Sequence, residues 1–234
     1  MKAYSNMMVR MGGVLVLAMA FGVMSAAKAE AALIAYICDD AACSGAGDLS
    51  ATDNGAGDTL GGILGAINFT GTTAGYEIVI NTSQSKPVLA SGMDLTYTVT
   101  DIAGGAGTVW LYATDTDFAG PQTLSGLLGG TSDNGSVTAI ICGGNNNLPR
   151  VPVNTGPCTT ATDNTAPGMS LSLSHSASAN PYSLTMGVAV SVLAGTSTGD
   201  FRVIGVPEPA SLALLSIGLF GVGAAIRRRR QVVA

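Results

Sequence analysis

The stretch Asp94-Leu95-Thr96-Tyr97-Thr98-Val99-Thr100 places an apolar side chain on every second residue. A period of two sends Leu95, Tyr97 and Val99 to one face of a strand and the threonines to the other, as an antiparallel strand with one buried face requires. Met169-Ser170-Leu171-Ser172-Leu173-Ser174-His175 repeats the alternation with serine as the polar partner. Working outward from these two runs, segments rich in Val, Ile, Thr and Tyr lie between clusters of Gly, Asn, Asp and Ser. They predict further strands at 33–38, 76–82, 108–114, 136–142, 182–193 and 201–204. Several half-buried strands in one chain predict an all-β domain built as a β-sandwich. Residues 58–69 leave helix or strand open, their glycines counting against a helix. Segments 39–58 and 143–167 read as long irregular loops, and 196–200 as a turn between the last two strands.

Both ends of the chain read as targeting segments rather than as parts of this domain. At the start, Lys2 and Arg10 precede an apolar run over 11–24 and then Ala27-Lys28-Ala29. A basic region, an apolar region and an A-x-A site make a signal peptide over 1–29 with cleavage after Ala29; Ala29-Glu30-Ala31 offers a second site two residues on. The far end reads Val206-Pro207-Glu208-Pro209, an apolar stretch over 210–226, then Arg227, Arg228, Arg229 and Arg230. As a helix the apolar stretch is about 26 Å long, just enough for a single transmembrane span of a bilayer core about 30 Å thick. The four arginines resist crossing lipid, which keeps them cytoplasmic as a stop-transfer cluster and leaves residues 30–205 exported. Pro207 and Pro209 hold the segment before the span extended, a form suited to an enzyme's cleft.

The order Pro207-Glu208-Pro209, Leu/Gly/Ala helix, arginine cluster closely resembles the PEP-CTERM sorting signal, here over 206–230. The resemblance implies recognition at Pro207-Glu208-Pro209 by an exosortase, a membrane-embedded enzyme resembling a cysteine transpeptidase, followed by loss of the helix. It also implies an exopolysaccharide-producing Gram-negative host. There the chain is first an inner-membrane-anchored precursor and afterwards a component of the cell surface or extracellular matrix.

Between Glu30 and Val206 only Lys86, Arg150 and Arg202 are cationic against 14 acidic residues, a net charge of −11 that the whole-chain value of −5 conceals. So few cations argue against nucleic acid and against anionic lipid as partners, and leave divalent cations open. Cys38, Cys43, Cys142 and Cys158 all fall in the exported part, where an even count reads as disulfides. Of the three pairings, Cys38 with Cys43 and Cys142 with Cys158 is favoured, because each closes a short loop rich in Gly, Asn, Pro or Asp. A metal site on these cysteines is the alternative, but C-x-x-C is missing and His175 is the sole histidine.

Candidate binding residues are sparse, and no cofactor is expected. Gly-Ala-Gly-Asp ends at Asp48 and again at Asp58, with Asp39, Asp40 and Asp53 nearby; acidic loops of this kind supply oxygen ligands to calcium, yet neither an EF-hand nor a β-roll repeat is present. Asp115-Thr116-Asp117 reads first as a turn and second as a cation clasp. Trp110 and Tyr112, two apart on a strand, offer a sugar-stacking platform, although the only tryptophan of a domain poor in aromatics is expected in the core. G-x-S-x-G, H-E-x-x-H and a phosphate loop are all missing, and nothing groups His175 with a serine and an acid, so the domain is read as non-catalytic. Extracellular polysaccharide is the alternative partner to consider, ahead of a hydrolase substrate.

Overall fold

A computed structural model describes residues 33–89, 91–104, 107–120, 123–144, 158–164, 167–177, 180–192 and 194–206, together with Ile217. The signal peptide, the Pro207-Glu208-Pro209 motif, the 210–226 span apart from Ile217, and the arginine cluster lie outside the described residues. Among the described residues no helix is long and apolar enough to cross a membrane.

Twelve strands follow one another: β1 (Ile34–Cys38), β2 (Leu49–Thr52), β3 (Ala66–Thr73), β4 (Tyr76–Gln84), β5 (Gly92–Asp101), β6 (Val109–Phe118), β7 (Thr123–Ser132), β8 (Gly135–Gly144), β9 (Cys158–Asp163), β10 (Gly168–Ser176), β11 (Tyr182–Val192) and β12 (Thr196–Val206). They form two six-stranded sheets, ordered β2-β1-β6-β11-β8-β9 and β10-β7-β12-β5-β4-β3, in which every pairing is antiparallel. The two sheets share one apolar core, so the fold is a β-sandwich. Leu95, Tyr97 and Val99 are all buried in it, as their alternation predicts, in one cluster with Leu111, Val188 and Ile141 of the other sheet. Each side chain of this size contributes about 1.5–3 kcal/mol on burial.

The register explains how a sequence with so many glycines fills that core. Gly199 on β12 lies opposite Tyr97 on β5, and a Cβ at Gly199 would meet the Tyr97 hydroxyl at 2.6 Å. The tyrosine ring therefore occupies the space a side chain there would need. Gly126 on β7 is filled in the same way, with Phe201 Cε2 3.0 Å from its missing Cβ and Ile141 reaching across from the opposite sheet.

Several local expectations are corrected. Residues 196–200 are the first half of β12 rather than a turn, which falls at 194–195. Asp115-Thr116-Asp117 belongs to β6, where the pairing with β11 slips between Tyr182 and Leu184 and Asp117 takes a φ of 61°. The expected loop over 39–58 contains β2, and that over 143–167 contains β9. Residues 59–65 form turns and Ala66 opens β3, so no helix forms there, and β7 had not been expected.

The sandwich has two distinguishable ends. At one, β12 finishes at Val206, its Gly205 amide donating to Ser91 O at 2.8 Å beside the start of β5. The 85–91 connection and the 59–65 turns meet at the same end, where the Ser85 amide donates to Gly65 O at 2.9 Å. The other end carries the Cys38–Cys43 loop and the Thr73–Tyr76, Asp101–Val109 and Ser132–Gly135 connections.

Candidate functional site

The outer faces of the two sheets differ in a way that locates a site. β11, central in the first sheet, is buried along nearly its whole length, including residues of both parities. Its outer side lies under a second small cluster: Cys38, Tyr112, Ile140 and Cys142 are buried, and Tyr36, Trp110, Cys43 and Cys158 pack on them. Cys38 lies opposite Trp110, and Tyr36 opposite Tyr112. The Tyr112 ring covers Gly187, whose missing Cβ would sit 2.5 Å from Tyr112 Cε1, and the Tyr112 hydroxyl donates to Ala41 O at 3.2 Å. Burial, with a smaller push from Asp40, holds the Tyr112 hydroxyl well above the ordinary phenol range.

Trp110 is accordingly not a residue of the inter-sheet core, as its scarcity suggested. It is half-buried on the outer face, its ring stacked on Tyr112 with centroids 6.3 Å apart. The two disulfides bracket this cluster: Cys38–Cys43 with Cα atoms 5.1 Å apart and Cys142–Cys158 at 4.3 Å, the pairings that loop length favours. Tyr112 is wholly buried, which leaves Trp110 and Tyr36 with partial exposure and removes the open two-ring platform.

The second sheet's outer face is open and polar. From Ser197 to Ile204 β12 alternates between buried and exposed residues, the exposed ones being Thr198, Asp200, Arg202 and Ile204. Register sets Thr98, Thr198 and Thr131 in one row and Thr96, Asp200 and Gly129 in the next. Thr131 and Thr198 share a hydroxyl hydrogen bond of 3.0 Å, and Asn81 Nδ2 donates to Thr98 Oγ1 at 3.3 Å. A shallow groove of about 320 Å³ crosses these rows, lined by Asn81, Thr96, Thr98, Thr198 and Asp200 with Gly129 on its floor. No heavy atom lies within 4 Å of the Gly129 Cβ position, so the floor is free space. At one edge Asp94 lies opposite Arg202; desolvation and then the neighbouring Asp200 push the Asp94 carboxyl up to about 6 against the pull of Arg202.

The remaining candidates resolve into structural roles. In the acidic loops, Asp58 Oδ1 accepts the Leu60 and Asn68 amides at 2.8 and 3.2 Å, and Asp53 Oδ2 accepts the Gly65 amide at 2.7 Å. Asp40 holds the Ala42 amide at 2.6 Å and the Ser44 hydroxyl at 3.0 Å, and Asp48 Oδ1 takes the Asp39 amide at 3.1 Å. These carboxylates staple their own loops, and no group of metal-ligating side chains converges among the described residues. His175 is buried, with Nδ1 3.1 Å from Thr159 Oγ1.

A polar cluster that sequence spacing alone does not reveal joins the sheets near Val206. Asp115, fully buried, accepts the Ser85 hydroxyl at 2.5 Å and the Thr116 amide at 2.7 Å, and Lys86 Nζ stands 3.8 Å away. Lys86 also donates to Thr116 O and lies 4.6 Å above the Phe118 ring. Thirty residues separate Ser85 from Asp115, so no local motif announces the contact.

Among solved structures, the bacteriophage CBA120 tailspike protein 4 enzymatically active domain aligns over 58% of this chain at 10% identity with a TM-score of 0.35. This chain spans 17% of the tailspike's length. The family 11 carbohydrate-binding module of a Clostridium thermocellum cellulosomal cellulase aligns over 64% of this chain and 94% of its own, at 13% identity and TM-score 0.31. A carbohydrate-binding module of Cellvibrio mixtus lichenase 5A, solved with cellotriose, aligns over 61% and 88% at 12% identity and TM-score 0.30. Similarity this low bears on no residue of the site. No curated protein matches the sequence. The segment that begins as β12 ends is a different matter: residues 205–230 match the PEP-CTERM protein-sorting motif, and the chain is thereby a PEP-CTERM motif-bearing protein.

Proposed function

We propose that this chain is an exported, non-catalytic component of the cell surface or extracellular matrix, delivered by an exosortase acting at Pro207-Glu208-Pro209. The observation that carries the reading is the PEP-CTERM motif over 205–230, which opens where the last paired strand of a disulfide-bearing sandwich closes. In this reading 1–29 directs export, 210–226 holds the precursor in the inner membrane, and Arg227, Arg228, Arg229 and Arg230 stop its transfer. Disulfides belong to an oxidising compartment, which agrees with export. The test is intact mass of the protein recovered from cells and from medium of its native host, with and without the exosortase. The expected result is a mature chain beginning at Glu30 and lacking Arg227–230 only when the exosortase is present. Retention of the arginines in both strains would overturn the assignment.

A second reading, polysaccharide binding by the same domain, is favoured by the groove on the second sheet. Sugar hydroxyls are both donors and acceptors, and a row of Thr, Asn and Asp side chains beside an open glycine floor offers matching partners. Gly129→Leu fills that floor with nothing to displace. It should leave the melting temperature within about 2 °C, since surface changes of this kind are nearly neutral, while abolishing retention on the host's polysaccharide. Undiminished retention would remove the groove from consideration.

A further inference from the structure

The exposed aliphatic side chains of the sandwich gather at the end from which the chain leaves toward its sorting motif. Ile63 is 51% exposed, Leu64 49%, Val88 44% and Val206 37%, and Ile204 and Leu127 continue this surface onto the second sheet. The loops that carry the first three are bound to each other and to the exit strand. The Ser85 amide reaches Gly65 O, the Leu89 amide reaches Ser85 O at 2.7 Å, and the Gly205 amide reaches Ser91 O. Ile102 is the one large exposed aliphatic of the described residues at the opposite end.

Three of the charged groups beside this surface are tied down by the protein. Lys86 is 12% exposed and engaged with Asp115 and Thr116, while Asp53 and Asp58 accept the amides of Gly65, Leu60 and Asn68. A water-facing loop end has no need to tuck away its charges and present isoleucine, leucine and valine. Contiguous exposed apolar surface of this kind marks an interaction face.

We infer that this end of the sandwich rests in the outer interface of the bilayer while the precursor is anchored, with Ile63, Leu64 and Val88 entering the headgroup layer. The inference depends on 210–226 spanning the membrane, as the proposed function holds. What selects a bilayer as the occupant is chain length. Four residue steps separate Val206 from Ala210, so the exit end is held within about 14 Å of the start of the apolar segment. At that distance contact is intramolecular, with an effective concentration on the order of millimolar, so even a weak insertion is populated. Among the described residues the cation beside Ile63, Leu64 and Val88 is Lys86, which is engaged with Asp115, and Arg202 lies farther along β12 opposite Leu127, so the contact is chiefly aliphatic insertion. Its consequence is positional: Pro207-Glu208-Pro209 would be presented at the membrane surface, at the depth where a membrane-embedded enzyme works.

The single tryptophan makes the test direct. Trp110 sits near the start of β6, at the opposite end of the sandwich, and serves as an internal control. The full precursor without its signal peptide is reconstituted in phosphatidylcholine nanodiscs, with and without acyl-chain bromination, as wild type, as Leu64→Trp and as Val88→Trp. Positions 64 and 88 are exposed, so neither change disturbs the core. The expected result is that bromination leaves wild-type emission unchanged and quenches the added tryptophan of each variant by about half. Co-elution with nanodiscs and no quenching at 64 or 88 would overturn the inference while leaving the anchor intact. Failure to co-elute would overturn the anchor, and the inference with it.

Discussion

Replacing Lys86 by methionine tests how the two sheets are joined. Methionine keeps the apolar stem against Phe118 and removes the ammonium that stands 3.8 Å from the buried Asp115 carboxylate. Breaking a buried pair from one side costs about 3–5 kcal/mol, because the other charge is left uncompensated. Asp115 would still hold the Ser85 hydroxyl and the Thr116 amide, so the cost should fall near the lower bound, about 3 kcal/mol. For a domain of this size that lowers the melting temperature by about 6–12 °C. Substituting both residues, Lys86→Met with Asp115→Leu, removes the charge and its need for a partner together, and should recover most of the loss. Urea unfolding of the wild type, both single variants and the double variant gives the coupling energy directly. A Lys86→Met loss below about 1 kcal/mol, or a double variant as unstable as the two singles summed, would refute the reasoning.

Three further outcomes follow from other parts of the fold. Cys142 and Cys158 are 16 residues apart and Cys38 and Cys43 only 5, so loop closure predicts that losing the first bridge costs about 3 kcal/mol and losing the second about 2, measured by denaturation of Cys→Ser pairs. Gly187→Ala drives a methyl into the Tyr112 ring, which its bond to Ala41 holds in place; a loss of about 1–3 kcal/mol is expected, and Gly187→Ala with Tyr112→Leu should relieve it. Asp94 is pushed up from 3.8 to about 6 in the folded state, first by desolvation and then by Asp200. Between those pH values the folded chain keeps a proton that the unfolded chain has lost, so stability should fall as pH rises through this window and level off above it. Asp94→Asn should flatten that slope, as thermal melts from pH 4 to 7 would report.

The strands legible in the sequence are those whose burial is set by their own residues. β5 and β10 alternate without interruption, and their inward sides are the ones buried. The first half of β12 was hidden because Ser197 and Gly199 occupy its inward positions, and the bulk that fills them is the Tyr97 ring of a neighbouring strand. β7 was hidden likewise, since the space at Gly126 is filled by Phe201 and Ile141. β2 and β9 are short, small-residue edge strands whose pattern is indistinguishable from a loop until a partner fixes it. Asp115-Thr116-Asp117 has turn chemistry on its own; what makes it strand is the buried contact with Ser85 and Lys86. Trp110 misled for another reason. Its alternation with Leu111 put it on the opposite side of β6, but with both sides of that strand apolar, parity did not say which side was the core.

The same asymmetry constrains where any partner of the exported domain can lie. The middle of the first sheet's outer side is covered by Tyr112, Ile140 and both disulfides, and the inward sides of both sheets are committed to the core. Broad polar surface with free space on it is left on the second sheet, along rows of Thr98, Thr198 and Thr131 that run across the strands. β12 supplies the centre of that surface and then delivers the chain to its sorting motif at Val206. If the exit end lies against the bilayer, the strands stand upright on it and the threonine rows run parallel to it. An extended polymer moving over the cell surface would then meet the groove side-on rather than at its end. A polysaccharide that protected Thr98 and Thr198 from solvent only after release from the membrane would contradict this arrangement.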